Sequence, residues 1–136
     1  MTREEALQIY YLSKEVEALQ ARLNEMRSRG LKSPKLDGMP RAPGGVGDPV
    51  ATQAVREADL EKKITKLLKR IQRKRREIFE YIENVDDSLL RMIIIFRCVD
   101  LCTWDEVASN IGGPVTPDSA RMAFNRHFRE AEAEKK

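Results

Sequence analysis

The sequence predicts an all-α protein: two long heptad helices, paired as a helical hairpin or a coiled-coil stalk, followed by a C-terminal three-helix domain of helix-turn-helix form. Three observations carry this expectation. Apolar residues recur at alternating steps of three and four in two long stretches, the pattern of a helix with one buried seam. Five of the seven glycines and four of the six prolines crowd between those stretches, at 30 to 50. Charged residues make up 35% of the chain and aromatics only 6%, which suits long solvated helices better than a sheet with a broad core.

The first helix is expected over 1–29. Ile9, Leu12, Val16, Leu19, Leu23 and Met26 step by 3, 4, 3, 4 and 3, an a/d seam with charged and polar residues elsewhere. Thr2 and Glu5 have the spacing of a capping box, and Gly30 is a natural stop. A Pro/Gly-rich linker over 30–51 follows, in which no period survives. Its GGVGD segment has no Gly-Lys-Ser/Thr after it and no strand before it, so it does not read as a phosphate-binding loop.

The second long helix is expected over 52–85. Leu60, Ile64, Leu67, Ile71, Lys74, Ile78, Tyr81 and Val85 step alternately by 4 and 3. At 1.5 Å per residue the two helices would be roughly 42 and 50 Å long, lengths that suit a hairpin. The linker is long enough for pairing between chains as well, and the pattern leaves both arrangements open, with a homo-oligomer through the heptad helices expected. From Lys62 to Arg76 this helix holds nine basic residues and no acid. Lys69, Arg70, Arg73, Arg75 and Arg76 are candidate phosphate contacts. The alternative is a solvated face that pairs with Glu15, Glu17 and Glu25 of the first helix.

A domain over 86–136 is then expected from three shorter helices, at about 86–101, 104–111 and 117–133. Thr103 and Glu106 form a second capping box ahead of Trp104. Trp104, Val107, Ala108 and Ile111 would face inward, with Ala108 small where two helices cross. Gly112 falls where the turn needs positive φ. Thr116 and Pro117 restart a helix as N-cap and first residue. Ala120, Phe124, His127 and Phe128 would face inward; Asp118, Ser119, Arg121, Met122, Asn125, Arg126 and Arg129 would face outward.

That outward set has the chemistry of groove reading. Arg bonds guanine bidentately, Asn bonds adenine, and Met can touch a thymine methyl. These seven residues are the candidate contacts to double-stranded DNA, the expected partner. Gly113, Pro114 and Val115 make the turn longer than a minimal motif needs.

Other chemistry finds little support. Cys98 and Cys102, four apart, would share a helix face as buried free thiols. With His127 they are the only soft ligand candidates, fewer than a zinc site needs, so neither metal nor other cofactor is expected. No nucleophile–base arrangement points to an enzyme. The run Met92 to Phe96 is too short to cross a bilayer. The first residues lack a basic segment followed by an apolar one, so a cytoplasmic protein without membrane partners is expected.

The segment IIIFRCVDLCTWDEVASNIGGPVTPDSARMAFNRHF resembles the C-terminal part of phage and prophage regulators of the ArpU/RinA type. The matching words are Arg97-Cys98-Val99-Asp100, Thr103-Trp104-Asp105-Glu106-Val107-Ala108, Gly112-Gly113 and Asp118-Ser119-Ala120-Arg121. The likeness covers 47–129, more weakly toward its start. It departs from the family pattern at Cys98, where an aromatic is usual, and at Ala120, where a larger aliphatic is usual. The family is similar to the fourth region of bacterial sigma factors. The resemblance implies an activator of phage late or packaging genes in a bacterial host cell, with Ser119, Arg121, Met122, Asn125 and Arg126 on DNA. RNA polymerase is a further candidate partner. The competing expectations are a small-terminase-like DNA-packaging subunit and a helical adaptor that binds RNA polymerase.

Overall fold

The computed structural model describes residues 1–31 and 49–134. The protein is all-α: every described element is helical, and no strand occurs among the described residues. In order, α1 is Arg3–Ala6, α2 Gln8–Leu31, α3 Pro49–Ile82, α4 Ser88–Ile94 continued by a π-helical turn at Ile95–Val99, α5 Trp104–Ile111 and α6 Pro117–Glu134. None of these helices is long and apolar enough to cross a membrane.

The chain divides into two compact units. The hairpin unit spans Lys14–Lys69 and contains the facing parts of α2 and α3. Here the helices pair within the chain: Gln53 Nε2 donates to the Met26 carbonyl at 2.8 Å, and Arg27 forms an ion pair with Glu61. Leu23 and Ile64 are buried, while Val16, Leu19, Met26, Leu60 and Leu67 are half-buried, so the seams read from the sequence are the covered faces. The linker expected over 30–51 lies mostly outside the described residues. At its edges α2 runs through Gly30 to Leu31 and α3 begins at Pro49, so Gly30 does not stop the first helix.

The C-terminal unit comprises Met1–Ser13 and Arg70–Lys136. Its core draws on all its helices: Ala6, Ile9, Ile78, Ile93, Ile94, Val107, Phe124 and Phe128 are buried, and no polar or charged residue is buried with them among the described residues. Aromatic rings organise one side. Phe124 meets Trp104 edge-on at 5.5 Å and Phe128 at 4.8 Å, and Phe128 stacks on Tyr81 at 6.1 Å.

Other helix boundaries also differ from expectation, and each of these differences has a local cause. The first helix breaks at Leu7, whose φ of −90° and ψ of 0° close α1. Thr2 and Glu5 do form the capping box, but α1 packs on α6, and the Arg3 amide donates to Glu132 at 3.4 Å. Tertiary docking thus overrides a sequence with no breaker. The second long helix stops at Ile82, and Val85 is buried just beyond it, held by a turn bond to the Ile82 carbonyl at 3.0 Å. The third begins at Ser88, capped by Asp87, whose carboxylate accepts from the Leu89 amide at 2.9 Å. It then widens: the Asp100 amide reaches back five residues to Ile95 and the Cys102 amide six to Phe96, at 3.0 and 2.9 Å.

Leu101, in the left-handed region at φ 58°, ends that segment where glycine is the usual choice. Cys102 therefore lies past the helix, and the two cysteines do not share a helix face as expected. Both are buried free thiols. Burial pushes the Cys98 thiol up to about 12, against the opposing pull of Arg97.

Candidate nucleic-acid interface

The pair α5–α6 is fixed at each end by side chain-to-backbone bonds. At the start of α5 the Glu106 amide donates to Thr103 Oγ1 at 3.2 Å and the Thr103 amide to Glu106 Oε1 at 3.5 Å. At its end Gly112 and Gly113 take φ of 76° and 63°. A β-carbon at either would meet nothing within 4 Å, so the backbone angle, not space, calls for glycine. At the start of α6 the Ser119 amide donates to Thr116 Oγ1 at 3.0 Å and the Thr116 amide to Ser119 Oγ at 2.9 Å. Pro117 follows as first helical residue, where its missing N–H costs nothing.

Between these caps the helices pack closely, with Ala108 buried on α5 and Ala120 on α6. Ala120, Phe124 and Phe128 form the inner stripe of α6. His127 is half-buried beside them, and its Nε2 lies 2.7 Å from the Tyr81 hydroxyl. That hydroxyl is raised above its ordinary pKa, first by burial and then by the charge of Glu134. The open groove beside this pair, about 580 Å³, is edged by Asp86, Asp87 and Glu134, a lining that repels phosphate.

The outward residues divide into two groups. Met122, Arg126 and Arg129 are exposed, and their steps of four and three place them opposite the buried stripe. Met122 is 57% accessible. Neither Arg126 nor Arg129 forms an ion pair among the described residues. The other four are committed or turned. Arg121 reaches back to Asp118 at 3.4 Å, both well exposed, so the two charges offset one another locally. The Ser119 hydroxyl accepts from Thr116 and also donates to the Thr116 carbonyl at 3.0 Å, so it serves the cap. Asn125, expected outward, is half-buried on the flank of α6, and its Oδ1 is buried without a partner.

The basic stretch of α3 is largely exposed, but the acids expected to pair with it do not bridge to it: Glu17 pairs with Lys14 and Glu25 with Arg29, each within α2, and Glu15 forms no ion pair among the described residues. Lys74, at a half-buried seam position, pairs with Glu77 at 3.3 Å. Lys69, Arg70, Arg73, Arg75 and Arg76 are exposed and form no ion pair among the described residues. At about 100° per residue Arg75 falls far around the helix from Arg73 and Arg76, so the five do not form one face. Arg70 instead edges a groove it shares with Glu4 and Glu5.

Two contacts carry no sequence signature strong enough to name in advance. Arg97 donates to the Cys102 carbonyl at 3.0 Å, and its guanidinium lies 4.6 Å from the centre of the Trp104 ring. This ties the end of the π turn to the start of α5. Arg91 donates to the Val85 carbonyl at 2.6 Å and anchors the start of α4. A basic residue six positions from a carbonyl it will cap is too common a spacing to single out.

No family model matches the chain, and no curated protein or solved structure does.

Proposed function

We propose that this protein binds double-stranded DNA with sequence preference through the exposed face of α6 and regulates transcription, without catalysing a reaction. The observation that carries the reading is the α5–α6 pair: a short and a longer helix, each capped at its start, joined through two positive-φ glycines, and presenting Met122, Arg126 and Arg129 away from the core. A rigid helix with a basic and apolar outer face suits the major groove, where Arg selects guanine and Met favours thymine. Asp118 and Arg121 then set the approach of the first turn of α6.

The resemblance to ArpU/RinA-type regulators supports promoter-proximal sites of phage late or packaging genes as targets, with activation as the effect. A homo-oligomer stays within the proposal, because two copies reading two half-sites would multiply specificity. Since the α2 and α3 seams are covered within the chain, a second copy would dock on other faces.

The test is selection of bound fragments from bacterial and phage genomic DNA at about 150 mM salt, where non-specific phosphate binding is suppressed. The expected result is enrichment of a few discrete sites sharing a short motif. Recovery at background level would reject the reading and favour a protein-binding adaptor.

A further inference from the structure

We infer that α3 contacts DNA phosphates through the exposed basic positions that it carries in each unit, one set in the hairpin unit and one in the C-terminal unit, whatever the sequence; the inference rests on the duplex-binding reading above. Lys62, Lys66, Lys69, Arg73 and Arg76 step by 4, 3, 4 and 3, the same rhythm as the seam but on other positions. In the hairpin unit, Lys62, Lys66 and Lys69 fall within about 60° of arc, opposite Leu60, Ile64 and Leu67. In the C-terminal unit, Arg73 and Arg76 lie opposite Ile71 and Ile78 in the same way. All five are exposed, and none forms an ion pair among the described residues.

The arrangement is costly unless something answers it. Like charges three and four residues apart repel along a helix. An ordinary solvated helix relieves that with interspersed acids, as α3 itself does at Glu57, Asp59 and Glu61 before the run and at Glu77 and Glu80 after it. Between Lys62 and Arg76 there is no acid. Of the α2 acids that could have answered across the hairpin, Glu17 and Glu25 are engaged within their own helix, and Glu15, exposed, forms no ion pair with the run among the described residues. A polyanion with regularly spaced charges is the complement of such a run. The duplex backbone supplies one negative charge about every 1.7 Å of axis, and its displaced counterions provide the driving force. The α6 face carries base discrimination, while the basic positions of α3 carry salt-sensitive affinity common to all sequences.

The test uses the full chain and two multiple variants, Lys62→Gln/Lys66→Gln/Lys69→Gln and Arg73→Gln/Arg76→Gln. Glutamine keeps the helix propensity, and circular dichroism checks that the helices persist. Binding is titrated against a random-sequence duplex of about 30 base pairs over a range of salt. The slope of log affinity against log salt should become shallower by about 2 to 3 for the lysine variant and about 2 for the arginine variant. The preference for a selected site over a scrambled one should stay as in the wild type. Unchanged slopes in both variants would overturn the α3 inference while leaving the α6 reading intact. Shallower slopes in a protein that shows no site preference would uphold the α3 inference and reject the α6 reading.

Discussion

The hairpin unit and the C-terminal unit are built from the same residue types by different means. Among the described residues of the hairpin, Leu23 and Ile64 are the buried side chains, and the remaining seam residues are only half-covered. Order there comes from a repeat, and each rung resembles the next. In the C-terminal unit, Phe124, Phe128, Ile78, Ile93, Ile94 and Val107 are all fully buried, and the segments between helices are held by caps, positive-φ residues and arginine bonds to carbonyls. Order there comes from unique contacts. A repeat tolerates loss of one rung, whereas a unit of unique contacts loses its geometry with any major member. A surface that must present three side chains in fixed register belongs on the second kind.

The largest expected effect follows from that contrast. Phe124→Ala removes a ring that touches both Trp104 and Phe128, and should cost about 3–5 kcal/mol in urea unfolding followed by fluorescence. Leu23→Ala should cost about 2–3 kcal/mol, the low end for such a truncation, and leave the native emission of Trp104 unchanged. Equal losses, or a changed Trp104 spectrum in the leucine variant, would break the comparison. Next in size are the turn and cap of the α5–α6 pair. Gly112→Ala places a β-carbon at φ 76° and ψ −164°, a region essentially reserved for glycine, and should cost about 1–3 kcal/mol through strain alone, since nothing lies within reach of that carbon. Thr103→Ala removes the N-cap of α5 and should cost about 1 kcal/mol.

A pH titration sharpens the same contrast. Cys98 has its pKa raised by burial to about 12, so the folded state holds the neutral thiol. Its stabilising share is intact below the unfolded thiol's ordinary value and is lost as pH rises from there toward 12. A thiol reagent at mildly alkaline pH should therefore react with Cys98 far more slowly in the native protein than in urea. The smallest effect belongs to the hairpin surface. Both partners of the Arg27–Glu61 pair are about half exposed, so Arg27→Ala should change stability by no more than about 1 kcal/mol, and less at high salt.

What was legible in the sequence follows the same division. The seams from Ile9 to Met26 and from Leu60 to Val85 were legible because a repeated step needs only one helix to express it. Both capping boxes, the positive φ of Gly112 and the Thr116–Pro117 start were legible because their causes lie within three or four residues. The break at Leu7, the π turn at Ile95–Val99, the left-handed Leu101 and the half-buried Asn125 were not, because each answers to a partner distant in sequence or to packing. The candidate surface was read in outline: seven residues were expected outward, and Met122, Arg126 and Arg129 combine exposure with freedom from cap or ion pair. Ser119 was missed as a cap because T-x-x-S departs from the commoner T-x-x-E.

The central claim is that the outer face of α6 reads base sequence. The most direct measurement compares wild type and Arg126→Ala on a selected site and on single-base variants of it, at fixed salt. The account predicts that the variant keeps its affinity for scrambled duplex, and that discrimination at one base pair collapses by about 1–3 kcal/mol, with the other positions unaffected. Discrimination equal to wild type at every position would contradict it and remove α6 as the reading surface.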